Sequence, residues 1–273
     1  MAEPVFALQG VSYQYKAGVP ALDAISLNVE AGQRLALLGA NGSGKSTLLM
    51  ILAGLLAPSG GEVLAFGEPL SAERLRDERF ARAFRRRVGI VFQSSDAQLF
   101  SPNVRDEIAF GPLHLELPEA EVLRRVQDTL NLLGLNELAE RAPYNLSGGE
   151  KKKVALASVL AVNPDVLLFD EPTNGLDPRT QRWLIELLGR FHEAGKTIVL
   201  ATHHLDLLGE LAAAALILGE DHRVAVCGPL DEVLADRDLL LRVNLIHEHA
   251  HLHGQRLHSH EHAHQGEHEH EHK

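Results

Sequence analysis

The sequence predicts an α/β fold built on a parallel core sheet, and two sets of observations support this prediction. A glycine-rich segment at residues 39–47 lies between an apolar run, 34–38, and a helical pattern over 46–56. Two further apolar runs, at 166–170 and 197–201, each end in polar residues. Short apolar runs of this kind are typical of buried parallel strands, whose carboxyl ends bind ligands in open α/β sheets.

Two additions to this core are also predicted. Apolar and polar residues alternate over 5–35, which indicates an antiparallel N-terminal sheet. Residues from about 95 to 162 read as helices inserted between two sheet strands, and prolines punctuate them. We therefore expect one domain over residues 1–246 with a helical subdomain, followed by a tail of different composition over 247–273.

The segment from Gly39 to Thr47 matches the phosphate-binding pattern G-x-x-x-x-G-K-[ST] at every fixed position. Its glycines allow tight turns that direct backbone N–H groups at phosphate oxygens, and the following helix N-terminus adds positive potential. Lys45 is expected to reach the β- and γ-phosphates, and Ser46 to place its hydroxyl on Mg²⁺. A glycine-rich connection that binds nothing fits this context less well. The predicted nucleotide-binding residues are Gly39, Ala40, Asn41, Gly42, Ser43, Gly44, Lys45, Ser46 and Thr47.

Composition narrows the function classes. With 45% hydrophobic and 23% charged residues, the 273-residue chain is typical of a globular protein. A formal net charge of −11 argues against nonspecific nucleic-acid binding, so no nucleic-acid partner is expected. Arginines at 82–87 end a helix predicted from Ala72, and a helix C-terminus favours cations anyway.

No apolar run approaches the roughly eighteen residues that span a bilayer, so any membrane role is expected to be peripheral. The single cysteine, Cys227, suits a reducing cytoplasm.

Polar residues end three of the predicted strands. Gln93 follows the strand 88–92, and its amide could hold the attacking water or a metal-bound water, although a lone Gln is usually a loop residue. Asp170 could bind Mg²⁺ and Glu171 could polarise water for attack on the γ-phosphate, although two acids here could instead cap a helix. His203 could donate to a γ-phosphate oxygen, although a lone histidine is more often structural.

Two further segments are candidates for ligand contact. Tyr15 could stack on an adenine, although Tyr13 and Tyr15 could both be ordinary strand aromatics. Leu146-Ser-Gly-Gly-Glu150 precedes a helical pattern, so Ser147 and the N–H groups after it could form a second anion site. S-G-G by itself is also a common turn and helix cap.

In chain order, the phosphate loop, Gln93, L-S-G-G-E, the Asp-Glu strand end, L-D and T-H resemble the nucleotide-binding subunits of ABC transporters over residues 5 to about 235. The L-S-G-G signature is the most specific of these elements, because other phosphate-loop families lack it. The resemblance implies an ABC-type fold that binds ATP and Mg²⁺ and hydrolyses ATP. It implies adenine packing for Tyr15, the Q-loop for Gln93, the Walker B pair for Asp170 and Glu171, the D-loop for Asp177 and the switch for His203.

The same resemblance implies a head-to-tail sandwich of two ATP-binding subunits. In that sandwich, Ser147, Gly148 and Gly149 of one chain face the ATP held by Lys45 of the other. A homodimer is expected, although the sequence leaves a heterodimer open.

The sequence departs from the family pattern in three places. Glu150 stands where Gln is commoner, Lys151 to Lys153 replace a more usual mixed segment, and His204 stands where Asp often follows the switch histidine. A narrower resemblance links residues 92–112 to the ATPases of energy-coupling-factor transporters, which serve vitamin and metal uptake. Those usually have Asn-Pro where this chain has Ser-Ser at 94–95.

Eleven of the sixteen histidines lie in the tail, mostly as H-x-H with glutamates between them. Alternate residues of an extended chain face one side, so the imidazoles converge and suit Ni²⁺, Co²⁺, Cu²⁺ or Zn²⁺. We expect a disordered metal-binding tail, and the alternative is a solvated tail with no role. The candidate ligands are His247, His249, His251, His253, His258, His260, His262, His264, His268, His270 and His272.

Together these features predict the ATP-hydrolysing subunit of an energy-coupling-factor transporter that imports a divalent transition metal, cobalt or nickel. Its expected partners are a second ATP-binding subunit and integral membrane subunits, at the cytoplasmic face of the cell membrane. One alternative is an ABC ATPase for a vitamin or another solute, with the tail as a metal buffer. Others are a metal buffer with incidental ATPase activity and a non-transport ABC ATPase. The last usually carries a coiled-coil insertion or tandem cassettes, which this chain lacks.

Overall fold

The structure is a computed structural model that describes residues 4–253 and 256–263, with the backbone alone described from residue 247. The strands are β1 Phe6–Tyr15, β2 Val19–Val29, β3 Arg34–Leu38, β4 Gly60–Ala65, β5 Glu68–Pro69, β6 Val88–Val91, β7 Val166–Asp170, β8 Thr197–Ala201, β9 Ala214–Leu218, β10 Val224–Pro229, β11 Ile246–His253 and β12 Arg256–Ala263. The α-helices are α1 Lys45–Leu52, α2 Glu78–Arg87, α3 Val104–His114, α4 Glu119–Leu133, α5 Gly148–Leu160, α6 Pro178–Glu193, α7 Leu208–Leu211, α8 Leu230–Ala235 and α9 Arg237–Arg242. None of the helices described is long and apolar enough to cross a membrane.

The core sheet has the strand order β10-β9-β3-β8-β7-β6, and all of its pairings are parallel except that of the edge strand β10. β7 and β8 are buried along their whole length, which explains why the sequence shows continuous apolar runs there. Leu37 of β3 lies beside Ala201 of β8, and Asp170 of β7 lies beside the same alanine from the other side. The loops after these three strands therefore meet at one edge, and the predicted α/β core is confirmed.

The N-terminal sheet has the order β2-β1-β4-β5 and is antiparallel, as the alternation in the sequence predicted. Phe6 in β1 lies opposite Val29 of β2 and Ala65 of β4, and all three side chains are buried. They belong to one hydrophobic core with Leu48 of α1 and Leu168 of β7, so α1 is enclosed between the two sheets. This packing fixes the start of α1, where the glycine-rich loop ends.

The predicted helices after the core strand β6 are present as α3, α4 and α5, and they share a second hydrophobic core with the other face of the core sheet. Asn103 caps α3 by accepting a hydrogen bond from the backbone N–H of Asp106, and Gly134 ends α4 in the left-handed conformation. The subdomain boundary at about 95–162 stays a prediction.

Two helix boundaries differ from the sequence prediction. The helix expected from Ala72 begins only at Glu78, because the Asp77 side chain accepts hydrogen bonds from the next turn and caps α2 there. A short 3₁₀ turn at Arg74–Arg76 precedes it. Helix α1 ends at Leu52, four residues before the predicted end.

In the described part of the tail, β11 and β12 pair as the antiparallel strands of a hairpin. The disorder expected for 247–273 stays a prediction. The backbone register places His247 opposite His262, His249 opposite His260, and His251 opposite His258. Four of the predicted ligands, His264, His268, His270 and His272, lie outside the described residues. The division of the chain at residue 246 stays a prediction.

Candidate active site

An open cavity of about 750 Å³ lies at the edge where β3, β7 and β8 end. Main-chain contacts hold this edge together, because the N–H of Glu171 donates to Ala201 and the N–H of Thr202 donates to Leu37. The volume is within the range of small-molecule sites. Ten of the predicted site residues line it, namely Tyr15, Asn41, Gly42, Gly44, Lys45, Ser46, Thr47, Gln93, Glu171 and His203.

The glycine-rich loop has a backbone that only glycine adopts at two places. Gly39 has φ 147°, and a Cβ there would lie 2.5 Å from the carbonyl oxygen of Leu218. Gly44 has φ 108°, and a Cβ there would lie 2.2 Å from the carbonyl oxygen of Ala21. Both contacts are far shorter than real Cβ contacts, so the loop passes between neighbouring chain segments that a side chain would displace. The first residue of α1, Lys45, follows directly.

Lys45 is held inside the loop and is only 7% exposed. Its Nζ donates to the carbonyl oxygens of Gly39 at 2.8 Å and Ala40 at 3.0 Å. Burial lowers the pKa of this ammonium, and the charges of Glu171 and Asp170 oppose that shift. The lysine is thus a positive charge at the base of the cavity, within reach of a phosphate group.

Ser46 and Asp170 lie beside this lysine, and each offers an oxygen atom that could coordinate a metal ion. The Ser46 hydroxyl donates to Asp170 Oδ1 at 3.0 Å, and the Gln93 side chain lines the same cavity. Burial raises the pKa of Asp170, while the hydrogen bond from Ser46 opposes the shift. Hydroxyl, carboxylate and amide oxygens are hard donors of the kind that Mg²⁺ prefers. The donor set therefore fits Mg²⁺, which would offset the cost of burying the aspartate charge.

Glu171 combines burial, backbone strain and an unpaired oxygen. Its side chain is 7% exposed, and its φ of 46° is uncommon for a residue other than glycine. Oε1 lies 2.7 Å from His203 Nδ1, at hydrogen-bond distance. Oε2 is buried and has no hydrogen-bond partner among the described residues. The arrangement leaves one carboxylate oxygen free to accept a proton from a bound water.

Tyr15 lies at the rim of the cavity. Its hydroxyl hydrogen-bonds with Thr47 Oγ1 at 3.0 Å, and its ring meets Tyr13 edge to face at 5.0 Å. The residue is 43% exposed, so a ring surface remains available for a planar ligand.

The predicted signature residues form a separate group. Ser147 caps α5 in a reciprocal capping box with Glu150, and these hydrogen bonds lower the pKa of Glu150. Asp177 caps α6, where Oδ2 accepts a hydrogen bond from the Thr180 hydroxyl at 2.5 Å. A Cβ on Gly149 would lie 3.9 Å from that same hydroxyl oxygen, so the starts of α5 and α6 adjoin. Within the described part of the chain, none of Ser147, Gly148, Gly149 and Asp177 lines the cavity around Lys45.

In the sequence, the lysine run after the signature is only a departure from the family pattern, but in the structure two of its members contact the loop that begins at Gln93. Lys152 is 7% exposed, and its Nζ donates to the carbonyl oxygens of Phe92 at 3.3 Å and Gln93 at 3.2 Å. Burial lowers its pKa, against the charges of Asp170 and Glu171. Lys151 Nζ pairs with Asp96 Oδ1 at 2.7 Å.

The other contacts of α5 extend this connection. Gln98 Oε1 accepts from the N–H of Phe92, and its Nε2 donates to the carbonyl of Ala155 in α5. Lys153 Nζ lies 4.8 Å from the ring centre of Trp183 in α6, a cation-π contact. Successive helix residues project about 100° apart, so consecutive lysines reach different neighbours. The signal in the sequence was this run of three lysines directly before the mostly apolar second half of α5.

Comparison with known proteins identifies the family. The family model described as ABC transporter matches residues 22–174. The chain is 50% identical over 246 residues to the nickel import ATP-binding protein NikO of Rhodobacter capsulatus, which covers 89% of this chain and 96% of that protein. It is 43% identical over 238 residues to the energy-coupling factor transporter ATP-binding protein EcfA of Methanothermobacter thermautotrophicus, covering 87% of this chain and 75% of that protein.

Solved structures agree. CbiO1 from Clostridium perfringens, part of the ABC transporter complex cbiONQ, superposes with a TM-score of 0.74 at 36% identity, covering 89% of this chain and 95% of that one. The ATP-binding cassette MJ0796, solved as a dimer with ADP and Pi, superposes with a TM-score of 0.74 at 29% identity, covering 82% and 98%. The resemblance found in the sequence is confirmed. The chain belongs to the ABC transporter family, as an ATP-binding subunit that hydrolyses ATP.

Proposed function

We propose that this protein is the ATP-hydrolysing subunit of an energy-coupling-factor transporter that imports a divalent transition metal, nickel or cobalt. The observation that carries the proposal is the 50% identity to a nickel import ATP-binding protein over nearly the whole chain. Two features support it further. CbiO1 and an energy-coupling factor subunit are also similar to this chain, and the chain ends in a histidine-rich tail.

In the proposed nucleotide site, the N–H groups of the loop 39–47 and Lys45 bind the phosphates, and the exposed ring of Tyr15 packs on the adenine. Ser46, Asp170 and Gln93 would hold Mg²⁺. A bound Mg²⁺ would supply positive charge that offsets the negative charge developing on the phosphate groups. The support for this assignment is the Ser46 to Asp170 contact beside the buried ammonium of Lys45.

Hydrolysis is proposed to depend on Glu171 and His203. Glu171 Oε2, which has no partner among the described residues, accepts the proton of the attacking water as the water adds to the γ-phosphate and the bond to the departing ADP breaks. The Glu171 carboxylate only accepts, so His203 Nδ1 donates to Oε1 and Nε2 is the ring nitrogen left for a γ-phosphate oxygen. Nε2 donates to that oxygen when the ring carries both protons. Gln93 orients the water from the opposite loop.

The proposed active form is a dimer with composite sites. Ser147, Gly148, Gly149 and Asp177 lie together, and the helix N-terminus at Ser147 is suited to an anion. They do not line the cavity of their own chain, so the phosphate that they bind would belong to a partner. The dimeric structure of the similar cassette MJ0796 supports this assembly, and a homodimer is the simplest form.

Integral membrane subunits are the other proposed partners, which would place the chain at the cytoplasmic face of the membrane. CbiO1 is part of such a transporter complex. The tail is proposed to bind transition metals as a buffer or sensor. The paired positions of the hairpin bring histidines of β11 opposite histidines of β12 in three successive rows, at alternate residues.

The test uses the transporter purified with its membrane subunits, captured through this chain, and placed in lipid vesicles. We expect ATP-dependent uptake of Ni²⁺ or Co²⁺, and ATP turnover that rises when either ion is supplied. A complex with Glu171→Gln serves as the transport-dead control. Uptake of a vitamin with no response to either metal would reject the metal cargo while leaving the ATPase assignment intact.

A further inference from the structure

A group of metal-ligating side chains lies at the wall of the nucleotide cavity. Glu171, His203 and His204 each offer a ligand atom, and these atoms all lie within 4.8 Å of one another. The two imidazole rings are 4.1 Å apart between centres and tilted by 37°. His204 lines the cavity but has no part in the hydrolysis described above. Its presence is one of the departures of this sequence from its family.

The chemistry of this group differs from that of the Mg²⁺ donors. Two imidazoles and one carboxylate, with an open position beside them, form the set that holds Zn²⁺ in many enzymes and that also suits Ni²⁺ and Co²⁺. In the tetrahedral geometry that Zn²⁺ prefers, ligand bonds of about 2.1 Å place two ligand atoms about 3.4 Å apart. The three ligand atoms here lie within 4.8 Å of one another, so side-chain rotations that bring them closer would complete the set.

A second observation also points to a ligand at this place. Glu171 is more than nine-tenths buried, and its Oε2 has no partner among the described residues. A buried carboxylate oxygen with no donor is costly unless a cation or a water meets it. The Glu171 carboxylate thus has one oxygen available to a positive ion.

We infer that Glu171, His203 and His204 form a binding site for a divalent transition metal ion, and that an ion held there stops ATP hydrolysis. The bound ion uses the lone pairs of the Glu171 carboxylate and of His203. The carboxylate can then no longer accept the proton of the attacking water. The phosphate contacts of Lys45 and of the loop remain, so ATP stays bound while turnover stops.

This inference rests on the ATP-hydrolysing site and not on the cargo. Combined with the proposed cargo, it has a physiological meaning, since the imported ion would inhibit its own import as it accumulates. Failure of the cargo proposal would leave the inhibitory site testable, because inhibition is measured on ATP turnover alone.

The experiment measures phosphate release by the full-length chain at saturating Mg-ATP, with free Zn²⁺ or Ni²⁺ fixed by a metal buffer so that the tail cannot deplete it. The test variant is His204→Asn. The control is His222→Asn, which removes another imidazole of the same cavity at a residue with φ 63°, where asparagine is tolerated. Each rate is compared with the rate of the same variant at the same Mg-ATP concentration without Zn²⁺ or Ni²⁺.

We expect the original chain and His222→Asn to be inhibited over the same range of free metal. His204→Asn should need at least about tenfold more, since even residues behind a ligand change affinity about 10–100-fold. Equal sensitivity of all three chains would overturn the inference. So would relief of inhibition by extra Mg²⁺ at constant free Zn²⁺, which would place the ion on Ser46 and Asp170.

A direct binding measurement provides a readout besides activity. In the full-length chain with the eleven tail histidines replaced by asparagine, equilibrium dialysis should find about one Zn²⁺ per chain, and adding His204→Asn should remove it. Retention of that ion after the His204 change, or no ion in either chain, would reject the site.

Discussion

Replacing Lys152 by methionine should both destabilise the protein and slow ATP turnover. The ammonium donates to the carbonyl oxygens of Phe92 and Gln93 and is buried, whereas methionine keeps the length and volume of the stem but cannot donate. Lys152→Met therefore leaves two carbonyl groups of the Gln93 loop without their donor.

The magnitude follows from the contacts. Hydrogen bonds from a charged donor contribute about 1.5–3 kcal/mol each, and at 3.2–3.3 Å these two lie at the weak end. The cost of burying the ammonium, visible in its lowered pKa, offsets part of this. We expect the free energy of unfolding to fall by about 2 kcal/mol. Displacement of Gln93 by about 1 Å should lower kcat by roughly tenfold or more.

Lys151→Met is the matched control, because Lys151 is the neighbouring residue and pairs with Asp96, whose side chain is 75% exposed. An exposed ion pair contributes about 0–1 kcal/mol, so this variant should lose little stability and little activity. Urea unfolding and steady-state phosphate release measure both quantities. Equal losses in the two variants, or normal turnover in Lys152→Met, would refute the role of Lys152 as the link between α5 and the Gln93 loop.

Three other predictions address the metal site, the dimer and the tail. Burial raises the pKa of Asp170, so protonation of this carboxyl contributes to folding stability fully below its pKa in the unfolded chain, and the contribution is lost as pH rises through its pKa in the folded chain. Mg²⁺ binds the ionised carboxylate, so the Mg²⁺ concentration that gives half-maximal ATPase activity should rise as pH falls. A Mg²⁺ requirement that does not change with pH would oppose this. Mixing Lys45→Ala with Ser147→Arg chains should restore activity above that of either variant, because each mixed dimer keeps one site with both faces intact; no recovery would count against independently acting composite sites. Calorimetry should show more bound Ni²⁺ or Co²⁺ for the full chain than for residues 1–246. Binding should weaken from about pH 7 to 5, because protons compete with the metal ion for imidazole, whose unperturbed pKa is about 6.5. Equal metal binding by the full chain and by residues 1–246 would end the tail assignment.

The sequence predicted the parallel core and the residues around Lys45, because the loop motif and the polar strand ends are local patterns with fixed consequences. Helix starts were less predictable. Asp77 caps α2 through its own side chain, and the periodicity of the surrounding residues does not show this. The partners of Lys152 could not be predicted either, since Phe92 and Gln93 are 60 and 59 residues away and meet α5 only after the core sheet has formed.

The cluster of Glu171, His203 and His204 is another contact that could not be predicted from the sequence alone. The sequence placed the two histidines next to each other and the glutamate at another strand end. Only the pairing of β7 with β8 brings their ligand atoms within 4.8 Å. Motifs therefore pointed to Glu171 and His203 but not to His204, and the sheet topology brings the three ligand atoms together.

The role of Glu171 in hydrolysis is tested most directly by measuring ATP turnover and ATP binding of Glu171→Gln together on the full-length chain. The amide retains the shape of the side chain but cannot accept the proton of the attacking water. We expect ATP binding close to that of the original chain, turnover reduced by at least about 100-fold, and a dimer trapped by ATP. Substantial hydrolysis by this variant would contradict the assignment of Glu171 as the residue that activates water.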